Sequence, residues 1–157
     1  MEILKSSRHS KITGDFAEAL VLYWLSKYGF ECARVDHTGI DLIARNPHTR
    51  EVMGISVKSR CRSKGTEASY VRIKSDDFEK AKQACIAFGC VPYFAVVVDG
   101  ASTIRVFVAS MQDTQRMCAS GWKMTDKALA TYQQDSSVKL VEFTSNTRSW
   151  WVAGPAT

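Results

Sequence analysis

The chain has 157 residues, 45% hydrophobic and 24% charged, which excludes a disordered or low-complexity protein and suffices for a core without disulfide or metal support. Its net charge of +5 is uneven: residues 1–82 hold 15 basic and 11 acidic side chains, residues 83–157 only 6 and 5. An excess of this size permits nucleic acid as a partner without establishing it.

The basic N-terminal stretch carries no apolar run of signal-peptide length, and nothing later approaches the roughly 18 apolar residues of a membrane span. A cytoplasmic protein with no membrane partner is expected, built as one domain over residues 1–157. Five cysteines, Cys32, Cys61, Cys85, Cys90 and Cys118, are odd in number and share no C-x-x-C pair, so reduced thiols are expected.

Residues 14–28 read as a helix, with Phe16, Leu20, Tyr23 and Trp24 on one face, Val21, Leu22 and Leu25 filling much of the rest, and Gly29 as the stop. Glu18 falls within an apolar flank of that helix rather than on its narrow polar side. Extended stretches follow at 31–36 and 39–45, a turn at Asn46-Pro47-His48-Thr49, and a third strand at 51–58. Alternation puts Ile40, Leu42 and Ala44 opposite Asp41 and Ile43, and Met53, Ile55 and Val57 opposite Gly54, Ser56 and Lys58.

Residues 60–70 are polar and aperiodic, which predicts a long exposed loop. Ser75 then caps a helix with Asp76 and Asp77 in its first turn, a buried stripe of Phe78, Ala81, Cys85 and Phe88, and a stop at Gly89. The apolar run 91–98 reads as a central strand, with 103–109 as its hairpin partner. In the last third, 125–133 reads as a short helix, 138–143 as a strand and 148–153 as another, with Trp150 and Trp151 packing against the sheet.

Along this order lie G-D-F-A-E at 14–18, G-I-D-L-I-A at 39–44 and G-I-S-V-K-S-R at 54–60. The series resembles the PD-(D/E)XK nucleases, especially the Holliday-junction-resolvase-like branch, over about residues 11–98, leaving 99–157 as a C-terminal extension. The resemblance implies an α/β, restriction-endonuclease-like fold with a helix-strand-strand-strand-helix-strand core and a mixed sheet. It matches Glu18 to the helix glutamate, Asp41 to the strand aspartate and Lys58 to the motif lysine, and puts Ser56 where an acid or glutamine is expected. It further implies a magnesium- or manganese-dependent DNA endonuclease, with Glu18 and Asp41 as metal ligands and Glu18, Asp41, Ser56 and Lys58 as the catalytic set.

The chemistry has its own logic. Phosphodiester hydrolysis needs an activated water and neutralisation of charge on the phosphoryl and leaving oxygens, which a hard cation, carboxylates and a lysine can supply. A serine in place of a third carboxylate weakens the attraction for a dication; the Val57 carbonyl, a water held by Ser56, or an acid from elsewhere (Glu67, Glu79 or Asp36) are candidate replacements, and Glu51 is a poor one because it faces away from Lys58. Lys58, Arg60, Arg62 and Lys64 alternate with small residues, so an extended chain presents four cations to a phosphate backbone. His9, His37 and His48 have no metal-ligand spacing. The rival readings are an inactive nuclease-fold nucleic-acid-binding module and a protein-interaction module, and a homodimer is left open.

Overall fold

The computed structural model describes residues 5–144 except 63, 64, 67, 68, 101, 102 and 124. Helix α1 (His9–Lys27) is followed by strands β1 (Glu31–His37), β2 (Ile40–Arg45) and β3 (Val52–Cys61), then helix α2 (Ser75–Phe88) and strands β4 (Val91–Asp99) and β5 (Thr103–Ser110). Helices α3 (Met111–Ala119) and α4 (Asp126–Gln134) precede strand β6 (Val138–Thr144). The six strands form one mixed sheet in chain order. Every neighbouring pair is antiparallel except β3 and β4, whose parallel pairing requires the crossover that α2 supplies. The core thus follows the helix-strand-strand-strand-helix-strand order expected of a restriction-endonuclease-like α/β fold.

One sheet face packs Leu42, Ala44, Met53, Ile55, Ala95 and Val97 against Ala17, Val21 and Leu25 of α1. The stripe that α1 buries is therefore the 17-21-25 row, and Phe16 and Tyr23, expected inside, are 44% and 56% exposed. Ala17 has no bulk beyond Cβ, so the helix can approach the sheet along that row, which turns the larger aromatics outward. Helix α1 also begins five residues earlier than the apolar pattern does. Gly14 sits in its interior, a position that costs about 1 kcal/mol relative to alanine and is compatible with a helix held by tertiary packing.

The opposite face is covered by α2 and, further along, by a cluster of Val71, Val96, Val98, Phe107, Met117, Trp122 and Leu129. Helix α3 was not apparent in the sequence. Its start is marked by Ser110, whose hydroxyl accepts the Asp113 N–H. Phe88, expected in the buried stripe of α2, is exposed, and Ala84 is buried there instead. The strand expected at 148–153, with Trp150 and Trp151, lies outside the described residues. No helix among the described residues is long and apolar enough to cross a membrane.

Candidate active site where strands β2 and β3 part

The β2–β3 ladder runs from Arg45 opposite Val52 to Leu42 opposite Ile55. Beyond it the Val57 N–H donates to Oδ2 of Asp41 at 2.6 Å, so a side-chain carboxylate accepts from the strand where the ladder has ended. The register of β1 also shifts between Arg34 and His37, and Ile40 packs with Ala84 and Cys85 under α2. This corrects the expected alternation, which put Ile40 with Leu42 and Ala44. The irregular stretch begins where Asp41 leaves the ladder.

Burial raises the Asp41 carboxyl above its ordinary value of 3.8, against the opposing pull of the Val57 N–H and the Lys58 charge. Glu18 reaches the same place from α1. Its carboxyl is raised above 4.5 by burial first and by the Asp41 charge second, with Arg34 opposing. Arg34 Nη2 lies 3.2 Å from Glu18 Oε2 and donates to the Asp15 carbonyl. On the other side, Lys58 Nζ lies 3.3 Å from Asp77 Oδ1 in the first turn of α2. Asp41 is therefore the link of the set, close enough to act on the charge of Glu18 and to feel that of Lys58, and each end has a counterion, Arg34 and Asp77.

Ser56 lies on the Lys58 face of β3, opposite Phe94 of β4, and is 2% exposed. The two carboxylates are hard oxygen donors, and Asp41 makes ionisation of Glu18 less favourable, a repulsion that a cation relieves. Magnesium and manganese fit such a pair, since magnesium is commonly held by one or two carboxylates and keeps several waters. No group of three or more His, Cys, Asp or Glu able to hold a metal occurs among the described residues.

Of the other acids, Glu51 and Glu79 have partners of their own. Glu51 accepts from the Tyr93 hydroxyl at 2.8 Å, and burial with this carboxylate pushes the Tyr93 phenol up to about 12. Glu79 is bound by Gln83, Asp36 is exposed, and Glu67 lies outside the described residues. The acid that does reach the motif lysine is Asp77, whose approach depends on which helix covers that face of β3.

Of the four cations expected to form an outward comb, Arg60 and Arg62 have partners within the chain. Strand β3 continues through Arg60 to Cys61, and Arg60 donates to the carbonyls of Ser59 and Arg72. Arg62 donates to the carbonyls of Ser69 and Tyr70, and burial together with the Arg60 charge lowers its pKa. Along with the Lys58–Asp77 pair, these bonds tie β3 to the returning chain and to α2 instead of leaving three cations free; Lys64 lies outside the described residues. A cavity of about 420 Å³ lined by Trp24, Tyr28, Phe30, Met53 and Tyr93 contains none of the candidate residues.

No family model matches the sequence, nor does any curated protein. Among solved structures the chain is similar to Hjc of Archaeoglobus fulgidus, a Holliday junction resolvase from an archaeal hyperthermophile. The match has 24% identity over 63% of this chain and 73% of that one, with a TM-score of 0.48. It is also similar to a restriction endonuclease in complex with substrate DNA, at 15% identity over 94% of this chain and 80% of that one, with a TM-score of 0.39.

Proposed function

We propose that this chain is a divalent-metal-dependent DNA endonuclease whose site comprises Glu18, Asp41 and Lys58, with Ser56 beside the lysine. The observation that carries this reading is the meeting of two carboxylates, both raised by burial and Glu18 further by the charge of Asp41, with a lysine at the point where β2 and β3 separate. The surplus of positive charge within residues 1–82 supports DNA as the substrate class.

Glu18 and Asp41 are the residues that would hold magnesium or manganese. The chemistry such an ion supplies when bound is activation of a water and neutralisation of the phosphoryl oxygens. The Val57 N–H fixes one oxygen of Asp41 and so sets the orientation of that carboxylate. Lys58 offsets negative charge developing at the phosphate through its ammonium group, and Asp77 holds that ammonium in place. Ser56 contributes a neutral hydroxyl where a third anion would bind the cation more strongly.

The test is calorimetric titration with manganese, together with nicking of supercoiled plasmid, for wild type and Asp41→Ala. Wild type is expected to bind and nick, and the variant to lose both. A second reading, an inactive module that binds nucleic acid, is favoured by there being two carboxylates rather than three at this place among the described residues. It takes over if wild type binds DNA with steep salt dependence but binds no metal. Absence of both activities leaves the protein-interaction reading.

A further inference from the structure

Helix α2 ends at Gly89, whose φ of 63° is left-handed. The Cys90 N–H donates to the Cys85 carbonyl at 2.9 Å, and the Gly89 N–H to the Ile86 carbonyl at 3.4 Å. This paired arrangement is a Schellman stop, which brings the side chains of its first and sixth residues together, commonly as an apolar contact. Here those residues are Cys85 and Cys90.

Both side chains press on Gly54 of β3. A Cβ on Gly54 would lie 2.5 Å from Cys85 Sγ and 2.6 Å from Cys90 Sγ, so the two sulfurs are no farther apart than those distances combined. Cys85 is buried and Cys90 partly exposed. The other cysteines lie elsewhere: Cys32 on β1, Cys61 at the end of β3 beside Asp99, and Cys118 on α3.

We propose that Cys85 and Cys90 are a dithiol modification site that closes to a disulfide by exchange with a small disulfide such as oxidised glutathione. The backbone already holds the two residues across one hydrogen bond, and a disulfide needs Cα atoms roughly 4.4–6.8 Å apart. Cys90, the more accessible thiol, reacts first as its thiolate: its sulfur bonds to one glutathione sulfur, and the other glutathione leaves. Cys85 then loses its proton and attacks Cys90 Sγ, displacing the second glutathione. Two protein thiols are oxidised, one glutathione disulfide is reduced, and the two thiol protons end on the two glutathiones. Burial, with Cys90 alongside, pushes the Cys85 thiol up to about 12, so the closing step is slow near neutrality and accelerates with pH.

The whole protein is incubated with oxidised glutathione, quenched with acid, and its thiols are counted after denaturation. The expected change is from five thiols to three. One tryptic peptide, residues 83–105, contains both cysteines and should be lighter by two hydrogens, with no glutathione retained. In Cys85→Ser the expected product is a lasting glutathione adduct on Cys90. Retention of all five thiols in wild type, a lasting adduct on Cys90 without closure, or closure through Cys32, Cys61 or Cys118 each overturns the proposal.

Discussion

The two faces of β3 share one backbone and differ in chemistry. Toward α1 the strand presents Met53, Ile55 and Val57, continuous with a single apolar cluster. Toward α2 it presents Gly54, pressed under two sulfurs, then the buried hydroxyl of Ser56, then the ion-paired ammonium of Lys58. On the first face one kind of side chain repeats, so substitution there tests packing alone. On the second the chemistry changes at every inward position, about 7 Å apart, so each residue has a separate role.

The largest effect should come from the uniform face. Ile55→Ala removes a fully buried side chain and is expected to cost about 2–5 kcal/mol in urea unfolding, with manganese affinity unchanged in the folded protein. A parallel loss of metal affinity would break the separation of the two faces. Asp77→Asn should do the reverse. Removal of the partner of Lys58 is expected to lower cleavage by roughly 10–100-fold, while a partly exposed ion pair contributes only about 1 kcal/mol or less to stability. Adding Ser56→Asp to that variant returns a carboxylate to the same face of β3. The shorter acid suits a position 2% exposed, and tighter manganese binding in the double variant is the expected outcome.

A smaller effect concerns pH. Because Glu18 and Asp41 are raised above 4.5 and 3.8, their contribution to stability is fully present below those values and is lost as pH rises through the higher folded-state values. Asp41→Asn should therefore show a shallower fall in melting temperature from acid toward neutral pH, and manganese should flatten the wild-type curve. Equal slopes in variant and wild type would remove Asp41 from the account. The smallest change is expected at Tyr23→Ala on α1, 56% exposed, within about 0.5 kcal/mol of wild type. A larger cost would mean that this surface is covered.

Much of the fold was legible because its signals are local. Gly29 and Gly89 stop their helices with positive φ, and the apolar run into β4 reads as a strand covered on both sides. The parity of β3 that joins Ser56 to Lys58 was legible for the same reason. What sequence could not supply was the partner across space. Phe16 and Ala17 sit in the same helical pattern, and only the close approach to the sheet decides that the alanine faces inward. Arg60 and Arg62 look like a solvated comb until the returning chain brings carbonyls to them. Asp77 looks like an ordinary first-turn acid until α2 crosses β3. The ladder's end at Leu42, which gives Asp41 its N–H donor, leaves no mark in composition or periodicity.

The chain-order arrangement of the sheet also bears on how the molecule assembles. Strands β1 to β3 form a meander and β4 with β5 a hairpin, whereas β3 meets β4 only after the crossover through α2, and β5 meets β6 only after α3 and α4. Contacts between distant parts of a chain are slow to form because the intervening loop must be ordered first. The meander brings Asp41 and Lys58 into one unit, with α1 packing Glu18 alongside; Asp77 and the two sulfurs over Gly54 arrive with α2. A chain stalled at the β3–β4 seam would therefore carry the repulsion of the two carboxylates without the helix that secures Lys58.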